Sequence, residues 1–373
     1  MRCTQCRTIR QAAGRNPDRR GVTDSRLPRY LLAAYVLLIV HASLYPLSGW
    51  HAHGASPFAF VAAPWPRWIT GFDIAANLFG YLPFGVLCML SLLPRIGARR
   101  ALALAVAAAA LLSLALEAAQ SYLPARVASN VDLLVNMAGA LLGAIAGLLA
   151  APWLLGTGPF RRLRAHALAS GGDADLGLTL LALWLFAQLN PASLLFGTGD
   201  LRDLLAEAAG PAYGAELFVR VETLTTSANL VAVSLLASAT MRDFAPKRRL
   251  LMLLLAAALM VKALAFAILM RAEQAFAWFT PGAQQGLAIG VAVMLAAVAL
   301  PRVLRLALAA VLLMAATVLV NLAPPNPYTA ATLKVWAQGH FLNFNGLAQF
   351  VSALWPFAAL LYLIHLAARR ERS

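Results

Sequence analysis

Residues 101–120 read ALALAVAAAALLSLALEAAQ. From Ala101 to Leu116 the only polar side chain is Ser113, so a helix built on this stretch is apolar on every face. A bilayer core about 30 Å thick is crossed by about 20 such residues. Nine further apolar runs lie around it, and the ten together occupy approximately 30–47, 72–93, 101–120, 131–153, 174–190, 213–240, 250–270, 283–300, 306–323 and 348–368. A transmembrane barrel would instead alternate apolar and polar residues over segments of about 10, which these runs do not do. The reading is an all-α, polytopic integral membrane bundle of about ten transmembrane helices.

Composition agrees. The chain is 61% hydrophobic and 12% charged, against about 45–50% and 25% in a soluble average. A net charge of +15 could suit nucleic acid, but the basic residues sit mostly in short linkers between apolar runs. With the linkers assigned alternately to two sides, 23 of the 30 Lys and Arg fall on one side. Arg67, Arg126, Arg202, Arg220, Arg271 and Lys334 fall on the other, and Lys262 lies within a helix. The positive-inside rule then puts both termini in the cytoplasm, with membrane lipids and no nucleic acid as partners. Residues 1–29 carry eight arginines and read as a basic disordered cytoplasmic tail. Residues 30–155 form a four-helix membrane domain, and 174–368 an additional six-helix region. Cys3 and Cys6 make half of a metal motif with no second pair of ligands, so neither a metal nor a cofactor is expected, and they receive no role.

Ionisable groups inside spanning helices are costly and mark candidate functional sites. The second run opens Asp73-x3-Asn77-x2-Gly80 and the fourth Asp132-x3-Asn136-x2-Gly139, a spacing that places each trio on one helix face. The third run ends with Ser113, Glu117 and Gln120 on a shared face, and the following linker supplies Arg126. Asp73, Asn77, Glu117, Gln120, Arg126, Asp132 and Asn136 therefore form a candidate polar cluster near the outward boundary, with three carboxylates and one Arg. Such an excess of negative charge suits a bound cation or the cationic group of a ligand. The structural alternative is that the acids cap helix N-termini and that Gly80, Gly139, Gly143 and Gly147 serve helix packing. Thr225, Asn229 and Ala232 repeat the spacing faintly without the acids, so the second region reads as a candidate degenerate repeat.

These residues give the chain a resemblance to the VanZ-like family, membrane proteins named for one linked to resistance to the glycopeptide teicoplanin. It rests on Ser43-Leu-Tyr-Pro46, Asp73-x3-Asn77, Gly80-Tyr-Leu-Pro83-Phe-Gly85, Glu117-x2-Gln120, Arg126 and Asp132-x3-Asn136-x2-Gly139. The resemblance implies a multi-pass protein of the bacterial cytoplasmic (inner) membrane, in an extended ten-helix form. It does not carry a reaction with it.

Three functions stay open. One is an envelope component, more readily a non-enzyme, that modulates susceptibility to lipoglycopeptides or handles other surface ligands through the polar cluster. Another is a membrane-embedded enzyme or binder for lipid-linked envelope or polysaccharide precursors, with Glu117 as acid or base and Arg126 on a phosphate. Gly-x-Ser-x-Gly, His-Glu-x-x-His and P-loop motifs are absent from the sequence, and His51, His53 and His340 lack ligand spacing. The third is a secondary transporter, although transporter sites usually lie near the midplane. Arg126, in a proline-bounded linker, is expected to contribute little to packing. The topology itself is testable: reporter fusions after Arg100, Arg164, Arg249, Arg305 and Arg370 should read cytoplasmic, and fusions near Pro64, Ala125, Gly199, Gly282 and Asn326 external. Two reversed sites would break the ten-helix arrangement.

Overall fold

The computed structural model describes residues 25–52, 54, 56–66, 68–155, 159–202, 215–269, 272–323 and 342–370. The tail through residue 24, with Cys3 and Cys6, lies outside the described residues, as do His53, Arg67, Arg271, Lys334 and His340. Eleven helices are described and no strand accompanies them: α1 Leu27–Leu44, α2 Gly71–Ile96, α3 Ala98–Gln120, α4 Asn130–Leu154, α5 Pro159–Ala167, α6 Gly172–Ala187, α7 Ala215–Ala239, α8 Lys247–Leu269, α9 Pro281–Ala297, α10 Arg302–Leu322 and α11 Leu342–Arg370. The protein is an all-α helical membrane bundle. Local sequence sets several boundaries. Thr70, Ser129 and Thr280 cap α2, α4 and α9 through their hydroxyls. Between α2 and α3 the chain reverses on Gly97 alone, at φ 77°, a conformation that costs other residues a steric clash.

Alternation of ends follows the basic linkers. The α5–α6 and α7–α8 linkers meet at one end, where Ala169 N donates to Thr240 O and Arg242 N to Ala167 O. At the other end the α1–α2 and α3–α4 linkers meet, with His51 N donating to Tyr122 O and Asn130 Nδ2 to Ala63 O. The count of long spans, however, departs from ten. Eight described helices are long and apolar enough to cross a membrane. Besides the nine-residue α5, the exceptions are α6, with 16 residues, and α9, with 17, whose lengths of about 24 and 26 Å at 1.5 Å per residue fall short of a full core.

The shortness of α6 has a visible cause. After Ala187 the chain leaves the helix but stays inside the protein: Gln188, Leu195, Phe196 and Thr198 are buried in turns and irregular backbone. Buried non-helical backbone survives where the protein supplies its hydrogen-bond partners. Four helices do so here. Lys262 of α8, fully buried, donates to Asn190 O at 2.7 Å and to Ser193 O at 3.1 Å. Asn321 of α10 donates to Gly199 O and accepts from Leu201 N. Thr226 of α7 donates to Leu195 O, and Ser352 O of α11 accepts from Gly199 N.

In the first half α2 and α4 form the most extensive helix pair. A Cβ on Gly139 would collide with the Leu78 carbonyl, and one on Gly143 with that of Leu82. At Gly147 it would lie 3.0 Å from Val86 O. Gly80 does not belong to this seam: a Cβ there meets open space, and the residue's role is to offer its carbonyl to the Tyr35 hydroxyl at 2.7 Å. Gly85 takes the packing role instead, against the Ala140 carbonyl. The same device recurs between α7 and α9, where Gly282 and Gly286 lie against the Val219 and Thr223 carbonyls and Gly290 against Leu230. Small residues at four-residue spacing let two backbones touch, which is how helices adhere where apolar burial gives no advantage over lipid.

Asp175 of α6, 2% exposed, ties α1 to this second set of helices. It accepts hydrogen bonds from Arg26 N and Ser25 Oγ and pairs with Arg164 of α5. At the other end of α1, His41 stacks on Phe350 of α11 with ring centroids 4.1 Å apart. The packing makes a contrast measurable: Gly143→Leu should cost about 1–3 kcal/mol or more and deplete the protein from membranes, whereas Gly80→Leu should leave its abundance near wild type.

Candidate functional site

The polar cluster forms where α2 and α4 begin and α3 ends. Each Asp of the repeated motif stands three residues after a hydroxyl, Thr70-x-x-Asp73 and Ser129-x-x-Asp132, the pattern of a capped helix start. At Asp73 the capping box is complete: its Oδ2 accepts from Thr70 N at 3.1 Å and Thr70 Oγ1 at 2.6 Å, and its own N donates to Thr70 Oγ1. Ser129 Oγ accepts from Val131 N and Asp132 N, but the Asp132 carboxylate turns elsewhere. It hydrogen-bonds the Asn77 side chain across the α2–α4 interface and lies beside Asp73.

Glu117 is buried, 4% exposed, near the end of α3. Its Oε2 accepts from Ser129 N at 2.8 Å, so the carboxylate secures the first residue before α4, and Asp132 and Arg126 are its charged neighbours. One turn earlier, the fully buried Ser113 accepts from Asn136 Nδ2 at 2.9 Å and hydrogen-bonds the Tyr81 phenol. Asn136 Oδ1 is buried with no hydrogen-bond partner. The three carboxylates lie within electrostatic range in series, Asp73 of Asp132 and Asp132 of Glu117. Asp73 is exposed, Asp132 half-buried and Glu117 enclosed.

Arg126, although near Glu117, directs its hydrogen bonds to α1. Its Nη2 donates to Ala42 O at 2.9 Å and Tyr45 O at 3.0 Å, and its Nε to Tyr45 O at 3.2 Å. Gln120 Nε2 adds a bond to Ser43 O at 2.9 Å. These two side chains thus satisfy carbonyls at the C-terminal end of α1, where no further helical N–H is present and a cation is favoured by the dipole. Burial lowers the Arg126 pKa, and the nearby Glu117 opposes that shift. The expectation that Arg126 adds little to packing is corrected on this geometry: its guanidinium holds α1 in place. Among the described residues, no ion pair joins Arg126 to a carboxylate.

A cavity of about 220 Å³ lies away from the acids, lined by His41 and Tyr45 of the first half and by Asn190, Ser193, Gln349 and Phe350 of the second. Among the described residues no three His, Cys, Asp or Glu side chains are grouped to hold a metal ion. Sequence reading passed over Ser129, Tyr35 and Asp175; the Ser129-x-x-Asp132 spacing carried a signal for the first, whereas the other two depend on contacts between distant helices.

Helices of this length and apolarity define a multi-span membrane protein. Residues 30–151, about a third of the chain, match the family model described as VanZ/LLP1, so this stretch is similar to that family. The match ends with α4 and leaves α5 to α11 outside it. No curated protein matches the chain, and no solved structure does.

The geometry separates two variants. Arg126→Ala leaves the Ala42 and Tyr45 carbonyls without their donor, at a cost of about 1–3 kcal/mol, and should lower both membrane abundance and the melting temperature in detergent. Glu117→Gln retains an oxygen to accept from Ser129 N and should be recovered at wild-type levels in the same fluorescence-detected chromatography.

Proposed function

We propose that this protein is a non-catalytic component of a bacterial cytoplasmic membrane that engages the cationic group of a surface ligand at the Asp73–Asp132 face. In this reading the starts of α2 and α4 point outward and both chain ends are cytoplasmic. Residues 30–155 form the ligand-binding domain, and 174–368 form a six-helix support descended from a duplication. The glycine seams on α4 and α9 support that duplication.

The observation that carries the reading is the direction of Arg126. Its Nε and Nη2 donate to α1, so among the described residues no ion pair reaches Asp73 or Asp132, one exposed and one half-buried, which lie within electrostatic range of each other. Adjacent carboxylates repel, and an incoming ammonium relieves that repulsion. A lipoglycopeptide or an amine-bearing lipid-linked precursor offers such a group from the outer leaflet, and the family's link to glycopeptide resistance agrees with the former. The enzyme reading loses its phosphate-holding residue, because Arg126 is engaged by carbonyls. The transporter reading loses its main intramembrane cation, because Lys262 is engaged by Asn190 and Ser193.

The test is binding of a fluorescent lipoglycopeptide to cells producing the wild type or Asp73→Asn/Asp132→Asn at equal abundance. Loss of the paired charge should weaken binding roughly tenfold and remove any change in drug susceptibility that the wild type confers. Equal binding by both proteins would refute the acidic face as the ligand site.

A further inference from the structure

At the opposite end of the bundle from the acids, a cavity of about 570 Å³ opens between the N-terminal ends of α6 and α10 and the C-terminal ends of α7 and α11. Arg242, Arg302 and Arg305 line it together with Ser170, Asp173 and Asp243. Arg305 is 6% exposed; its Nη1 donates to Ser238 Oγ at 2.7 Å, while its Nε is buried with no hydrogen-bond partner. Arg302, one turn of helix away, likewise has a buried Nε without a partner. Both sit in the first turn of α10, whose N-cap is Pro301 and whose N-terminus has no side-chain cap. Arg242 is held at the rim by a bond from its Nε to Leu168 O.

The two acids of the cavity do not neutralise these groups. Asp173 is taken by Arg369 at 2.8 Å and His365 at 3.3 Å. Asp243 lies within electrostatic range of Arg305, but its side chain is 99% exposed and its ion-pair partner is Lys247. Among the described residues no ion pair joins Arg242, Arg302 or Arg305 to a carboxylate. A guanidinium whose only task is to set topology stays in water, as the exposed Arg248 and Arg249 do. Enclosing one without an anion costs several kcal/mol. An enclosed guanidinium on Arg305 and a half-exposed one on Arg302, each with a buried Nε unspent, beside an uncapped helix N-terminus and an open cavity, present the donors that a tetrahedral oxyanion requires.

We propose that this cavity binds a phosphate group, with Arg305 and Arg302 as its principal ligands and Arg242 at its mouth. The phosphate is either that of an anionic phospholipid headgroup in the adjacent leaflet or a free phosphate from solution. The site is independent of the acidic face, so the failure of one leaves the other standing.

The experiment uses the full chain, delipidated in detergent. Inorganic phosphate is titrated against chloride at matched ionic strength with the melting temperature as readout, and phosphatidylglycerol retention is compared with that of diacylglycerol by native mass spectrometry. Stabilisation by inorganic phosphate supports the soluble source, and selective retention of phosphatidylglycerol supports the lipid source. Arg302→Gln should weaken whichever binding is found by roughly tenfold or more, and Arg305→Lys should do the same by losing the planar donor pair. If Arg305→Lys does not fold, Arg302→Gln, at a half-exposed position, decides alone. Arg249→Gln, an exposed charge at the same end, should leave binding unchanged. Absence of both effects, an unaffected Arg302→Gln, or an equal loss in Arg249→Gln overturns the proposal.

Discussion

Hydrocarbon offers no hydrogen bonds, so every peptide group inside the bilayer core must find its partner in the protein. The rest of this structure depends on that constraint. Where the chain stays helical the requirement is met locally, and the helices need only touch, as the glycines of α4 and α9 allow. Burial within the protein imposes the same demand, and between Gln188 and Leu201 side chains from α7, α8 and α10 and the α11 backbone come in to replace the missing helical bonds. Lys262 is the clearest case, because a buried ammonium has three protons to place and meets Asn190 O, Ser193 O and Ser193 Oγ.

The same constraint divides the family-type residues into two kinds. Gln120, Arg126 and Glu117 have backbone groups as partners and hold the ends of α1 and α4. Asp73 and Asp132 also stand at helix starts, but among the described residues neither forms an ion pair. A residue can be essential to the domain in either way, and only the second kind leaves charge over for a ligand. The two Asp-x3-Asn copies are not equivalent: Asn77 reaches Asp132 across the seam, whereas Asn136 is enclosed with Ser113.

Much of this was legible in the sequence. Apolar runs gave the helices, and the lopsided Lys and Arg gave their alternation, because both signals are local in the chain. The small residues Gly139, Gly143 and Gly147 marked a face for close helix approach, and the structure supplies its partner, the α2 backbone. Gly80 was misread because helical periodicity identifies a face but not what that face meets. α6 was read as a longer helix because residues 188–190 continue its composition, and the buried turns beyond it depend on Lys262 and Asn321, far away in sequence. Arg305 counted as one more topological charge for the same reason, since burial is a property of neighbours.

α1 is fastened at both ends by different partners. Its start is bonded to Asp175 of α6, and its end is bonded to Gln120 and Arg126 of the VanZ-like domain while His41 lies on Phe350 of α11. It therefore acts as a strut between the two sets of helices. Rocking one set of helices past the other would have to shear Asp175 from its N–H and hydroxyl donors or pull the last carbonyls of α1 from Arg126. A frame braced in this way couples its two ends, so that displacing α1 at Asp175 also loads its contacts with Arg126.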